Sequence, residues 1–460
     1  MKDRTTETRL FAQAPVLRAV LALAIPTVIS QIILVVYNMA DTFFIGLAGS
    51  DAMITAVTVC MPAFMFLSAV SNLFGVGGAS AIARALGRQE PERARAAAAF
   101  AFWGCAAVTA VYSLAALVFM HTFVDLLGGS DPAVHGSACQ YLIWTVVLGG
   151  LATSLNALLG HLVRSEGRSV QAGFGIALGG VLNIALDPLF MFAILPDGMQ
   201  VMGAGLATML SNVISLAYFT LTYRRVRGES VLDIPRRLPR IRPESRRSLL
   251  GIGVPAALSV FLFDLTNIVI NRLSASHGDI ELAAIGIVQK AERLPLNVGI
   301  GICLGMIPLI GYNYASGNRR RMRDFFMWAR VMGLAMSAVS VLLYRLFAGQ
   351  IMRAFIADAE TVRLGTAFLR ARCVATPFMF LSFNMVNFMQ AVDRGAESFW
   401  LPVIRQIALN IPLLIVMDRL FGMMGIVWTQ AVADILNVII SYIIYWRVMR
   451  RLDPAVQPRP

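Results

Sequence analysis

Apolar residues along the 460-residue chain gather into twelve runs separated by polar connections. A helix needs about 20 predominantly apolar residues to cross a bilayer. The runs lie near 16–46, 53–83, 97–120, 138–161, 170–194 and 203–223, then near 248–273, 281–314, 325–347, 365–390, 399–418 and 424–446. None alternates apolar and polar residues as a membrane barrel strand must, so each is predicted to be an α-helix. Between the sixth and seventh runs the chain turns hydrophilic and rich in Arg and Pro (RRVRGESVLDIPRRLPRIRPESRR). This predicts a linker at 224–247 joining an N-lobe, 16–223, to a C-lobe, 248–447, with polar tails at 1–15 and 448–460.

The halves repeat one another. Ile25-Pro26 answers Val254-Pro255, Asn38 answers Asn267, Gly75 with Gly87 answers Gly305 with Gly317, and Gly205 answers Gly425. Six spans per half start both halves on the same side, so the repeat is parallel, with a pseudo-two-fold axis along the membrane normal. The expected fold is an all-α membrane protein of twelve helices in two six-helix lobes around a cavity.

Composition agrees with a polytopic membrane protein: 58% hydrophobic, 14% charged, mean hydropathy +0.71. The net charge of +13 resides in clusters between apolar runs, which argues against nucleic acid. Lys2, Arg4 and Arg9, the arginines at 84–95, Arg164 and Arg168, Arg319–Arg323 and Arg447–Arg451 fall on one side, so both termini are expected in the cytoplasm. Five scattered cysteines without a CxxC pair read as free residues, not a disulfide framework or zinc site.

Polar groups inside the spans carry the candidate chemistry, because an ionisable side chain in hydrocarbon is costly enough to imply a role. Asp41 lies one turn after Tyr37 in a span that also holds Asn38 and the bend-permitting Pro26. In the fifth span, VLNIALDPLF, Asn183 and Asp187 are one turn apart, with Pro188 expected to break the helix. Either aspartate alone is explained as well by a helix end near the membrane surface. Two carboxylates with Asn38, Asn183 and Thr208 make an all-oxygen site suited to sodium or a proton. Met61, Met65 and Met209 lie in spans expected to border the cavity, where flexible thioethers suit varied apolar ligands. The eighth span embeds Gln289, Lys290, Glu292 and Arg293; interhelical ion pairing is the simplest account, with Asp264 as a partner.

Together the proline-bearing first span with YNMADTFFIG, then ARALGRQEPERAR, RSEGRS, NIALDPLF and GYNYASGN, resemble the multidrug and toxic compound extrusion (MATE) transporters. The resemblance covers nearly the whole chain. It implies a cavity open alternately to each side and efflux of drugs or organic cations in exchange for protons or sodium. It assigns Asp41, Asn183, Asp187 and Thr208 to an N-lobe cation site, Tyr37, Asn156 and Met209 to a drug pocket, and Pro26 to the bend of the first helix. The tenth span holds Asn384, Asn387 and Gln390 where one branch of the family has an Asp, so the chain resembles the DinF-like and MepA-like branches. The expected protein is a monomeric, multi-pass transporter of a bacterial inner membrane, with no cofactor beyond its coupling ion and no enzymatic activity. A flippase for a lipid-linked sugar is the alternative; it requires cavity cations, and only Lys290 and Arg293 offer themselves. A prenyltransferase is excluded, since no span holds two aspartates at one-turn spacing.

Overall fold

The computed structural model describes residues 9–47, 50–225, 230–232 and 242–452, so most of the expected linker and the ends of both tails lie outside it. Twelve spans follow in order. The first six are α1 (Val16–Leu47), α2 (Asp51–Gly87), α3 (Pro91–Val118), α4 (Pro132–Leu148, bent by 49° against Gly150–Ser165), α5 (Ser169–Ile194) and α6 (Gln200–Arg225). The second six are α7 (Pro243–Ala275), α8 (Asp279–Ala315), α9 (Arg319–Phe355), α10 (Ala359–Arg372 and Thr376–Ala391), α11 (Gly395–Phe421) and α12 (Met423–Leu452). Among the described residues, ten are single helices apolar and long enough to cross a membrane. The other two are α4 and α10, each built from two pieces; arginines 363, 370 and 372 make the first half of α10 the more polar.

The helix does not break at Pro188. It widens into a π-helical turn, Leu189–Ile194, and the equivalent span α11 does the same at Ile404–Asn410, just after Pro402. α1 runs unbroken through Pro26.

The lobes meet over one end of the bundle, nearest the linker. There α2 lies on α7 and, by the pseudo-symmetry, α8 lies on α1. A methyl group at Gly77 would overlap the Leu249 carbonyl oxygen, and one at Gly253 the Leu73 carbonyl oxygen; one at Gly305 would stand 3.0 Å from the Ala24 Cα. Without a hydrophobic driving force in lipid, such close backbone approach is what holds helices together. Polar bonds reinforce the joint. Buried Arg84 of α2 reaches Asp393 of the opposite lobe at 3.1 Å and Ser248 at 2.8 Å, and Ser248 donates to Asp393 at 2.7 Å. The segment preceding α1 is tied to the C-lobe as well: Arg321 Nε donates to the Phe11 carbonyl at 2.8 Å. Toward the other end the lobes enclose a cavity of about 510 Å³ lined from both sides.

Candidate functional site

Two glycines set the register that brings the acids together. α1 and α5 run in the same direction. A methyl group on Gly173 would stand 2.6 Å from the Pro26 carbonyl oxygen, and one on Gly180 would stand 3.0 Å from Ile33 Cγ2. Pro26 with Gly173 and Ile33 with Gly180 are contacts seven residues apart on both helices. The next step of seven brings Ala40-Asp41 level with Asp187, and the two carboxylates lie within electrostatic reach of each other.

Asp187 and Asn183 are fully buried, at 0% and 1% exposure. Asn183 Nδ2 donates to Asp187 Oδ1 at 3.2 Å and to Thr208 Oγ1 of α6 at 3.3 Å. Asp187 Oδ2, Asn183 Oδ1 and Asp41 Oδ1 are buried without a hydrogen-bond partner. Unpaired buried oxygens are costly, so a cluster of three is fitted to receive a proton or a hard cation. Asn183, Thr208 and Tyr37 line the cavity, whereas neither aspartate does. The acid pair therefore stands directly behind the cavity wall.

Apart from Arg164, the rest of the N-lobe wall mixes polar side chains with apolar ones such as Phe64 and Ile176. Asn156 Nδ2 donates to Asn212 Oδ1 at 3.0 Å, and Ser215 Oγ donates to Asn156 Oδ1 at 2.7 Å. Asn212 and Ser215 were not singled out from the sequence, although with Thr208 they form a polar stripe along α6 at helical spacing. Arg164, near the closed end, donates from Nε to Thr27 Oγ1 at 3.1 Å, just after Pro26, and makes no ion pair among the described residues.

Several sequence-based candidates sit elsewhere. Asn38 is exposed and bonds its own helix at the Leu34 carbonyl, so it is not part of the acid cluster. Met61 and Met65 are 43% and 36% exposed and absent from the described cavity wall, where α2 presents Phe64, Ser68 and Asn72 instead. Met209 packs beside Gly149 and is also absent from that wall.

The polar group of α8 divides. Lys290 is exposed and joins no cluster. Glu292 pairs with Arg372 of α10 at 2.9 Å, and Asp264 lies within electrostatic reach of Arg293, which lines the cavity. Gln289 lines a smaller pocket with Glu292 and Arg372. Interhelical ion pairing thus accounts for Glu292, through an arginine 80 residues away in sequence.

A second buried pair anchors the C-lobe. Arg405 Nε lies 2.6 Å from Asp434 Oδ1, and Gln430 Nε2 donates to Asp434 Oδ2 at 2.7 Å. Breaking such a pair strands the other charge, at a cost of roughly 3–5 kcal/mol, whereas replacing both partners by apolar residues costs far less. Asp434→Leu alone is expected to lower the thermal unfolding midpoint in detergent micelles well below that of the Arg405→Met/Asp434→Leu double variant. Equal losses in the two would count against this account.

A family model described as MatE matches residues 26–189 and 255–416, once in each half. The chain belongs to the MatE family. That makes it a membrane transporter and not an enzyme. The MatE chain is 26% identical over 443 residues to the multidrug export protein MepA of Staphylococcus aureus strain MRSA252, covering 96% of each. MepA of Staphylococcus saprophyticus is likewise 26% identical over 442 residues, covering 96% of each. Among solved structures, a MATE protein in the straight conformation superposes with a TM-score of 0.90 at 21% identity, over 96% of this chain and 98% of the other. An outward-facing multidrug resistance MATE family transporter gives 0.88 at 21% identity over the same shares, which shows the common twelve-helix, two-lobe fold.

Proposed function

We propose that this MatE protein is a secondary active multidrug exporter of the bacterial inner membrane, moving amphipathic small molecules, organic cations among them, by antiport with protons or sodium. The observation that carries the reading is Asp187, fully buried with one carboxylate oxygen unpartnered and bonded to Asn183, which lines the cavity together with Thr208. The arginine bias of the connections assigns the closed, linker end and both termini to the cytoplasm. The cavity then faces outward, where a released drug must go, in a protein acting as a monomer.

The chemistry of exchange follows from the placement of charge. Among the described residues no carboxylate lines the cavity, so a cationic guest draws on the field of Asp41 and Asp187 behind the wall. When that pair takes up a proton or sodium, the attraction falls and the guest leaves. Cargo and coupling ion thus exclude each other without sharing a binding position. Bending of α1 near Pro26 on occupancy would pass to α4 through the Arg164–Thr27 contact. Arg164 also offers a counter-charge to any acidic substituent on the same molecule. A diphosphate-bearing lipid is not favoured: of the arginines lining the cavity, Arg405 is neutralised by Asp434 and Arg293 has Asp264 within electrostatic reach, which leaves Arg164 alone near the closed end, and Lys290 is not part of the wall.

Proteoliposomes given a fluorescent organic cation, with a pH or a sodium gradient imposed separately, test the proposal. At least one gradient is expected to drive uphill movement. Equal, downhill-only movement under both would sink the exporter reading.

A further inference from the structure

Away from the cavity, the connection between α3 and α4 gathers three metal-ligating side chains. His121 and Asp125 lie one turn apart on a short helix, Met120–Leu126, and His135 and Cys139 lie one turn apart at the start of α4. His121 Nδ1 stands 3.0 Å from His135 Nε2, with the rings stacked at an interplanar angle of 7°. The donor atoms of His121, His135 and Cys139 all fall within 4.8 Å of one another. On its far side, His135 Nδ1 lies 3.1 Å from the Gly129 carbonyl oxygen and 3.4 Å from Asp125 Oδ1.

That last contact decides the chemistry. A carbonyl and a carboxylate at Nδ1 hold the proton there and leave the Nε2 lone pair directed at His121. The same outer-shell pairing fixes histidine ligands in metal sites. Two imidazole nitrogens facing at hydrogen-bond distance repel unless a proton or a metal ion stands between them. Cys139 is free and half-buried, so a thiolate is at hand as the third donor. Ligand bonds of about 2.0–2.3 Å require the three donor atoms, now within 4.8 Å of one another, to close in by side-chain rotation.

We propose that His121, His135 and Cys139 form a three-ligand site for a borderline-soft divalent ion, zinc foremost, with an open fourth position and with Asp125 as a positioning residue. Two imidazoles and a thiolate match zinc and its neighbours and exclude calcium and magnesium, which take oxygen ligands. Bound there, the ion would staple the short helix to α4 at the end of the molecule remote from the joint between the lobes.

The test uses the full-length, chelator-stripped and reduced protein in detergent, purified without a histidine tag, with cobalt(II) as the probe. One cobalt per chain is expected, giving visible d–d bands and a near-ultraviolet thiolate charge-transfer band, both abolished by zinc. His121→Ala, His135→Ala and Cys139→Ser should each weaken binding at least tenfold while remaining monodisperse. Asp125→Asn should weaken it by roughly tenfold, and His277→Ala, whose imidazole faces Asp418, should bind like the wild type. Absence of a saturable band, or a band that survives in His135→Ala and Cys139→Ser, overturns the site. Transport activity does not enter this readout, so it stands or falls separately from the exporter proposal.

Discussion

Asp187→Asn is expected to abolish gradient-driven drug accumulation in proteoliposomes, lowering the accumulation ratio at least tenfold, while the protein still folds and holds a cationic cargo more weakly. The amide keeps the shape of the side chain and can still accept the hydrogen bond that Asn183 donates. What disappears is the charge that a proton or sodium ion must neutralise. Coupling between two bound species is typically worth about 1–3 kcal/mol, or some 5- to 150-fold in affinity, and the tenfold figure lies inside that range. Asp41→Asn should act in the same direction with a smaller effect, because Asp41 is only partly buried. Combining them should add little, since the two acids act as one electrostatic unit. Wild-type accumulation by both single variants would remove the acid pair from the coupling mechanism.

Gly253→Ala should be the most disruptive single methyl group in the joint between the lobes. A Cβ there overlaps the Leu73 carbonyl oxygen, and backbone cannot swing aside as a flexible side chain can. Paired spin labels on the α2–α3 and α10–α11 connections should report longer distances at the linker end than in the wild type, with transport reduced at least tenfold. Gly251→Ala, on the same helix with nothing within 4 Å of the added methyl, is the matched control and should leave both readouts unchanged. Identical label distances in the two variants would show that the joint tolerates the wedge.

The twelve spans and the two-lobe plan were legible because lipid demands long apolar helices, and the turn-spaced Asn183 and Asp187 announced themselves as polar groups in such a helix. Whether Asp41 would meet them was not legible from α1 alone. It depends on Gly173 and Gly180 admitting α1 against α5, a fact of packing between segments far apart in the chain. Asn38 misled for a related reason: it flanks the same turn as Asp41, and periodicity alone does not say which flank faces the lobe interior. Long-range pairing was the least accessible level. Nothing near Glu292 points to Arg372, and nothing near Asp434 points to Arg405; their helices must be assembled before the pairs exist. Pro188 reads as a helix breaker by its covalent chemistry, yet α5 runs on through it into a π-helical turn without loss of the rod.

The glycine-packed joint has an electrical consequence. Backbone packed on backbone at Gly77 and Gly253 closes that end to water, and in the orientation proposed above the wide space beyond it fills from outside and takes on the potential of that side. The membrane voltage therefore drops almost wholly across the sealed half. Asp41 and Asp187 lie on the wetted side of that barrier, so an ion reaches them after crossing little of the field. Voltage is accordingly expected to act on the reorientation of the loaded protein, leaving ion capture nearly indifferent to it.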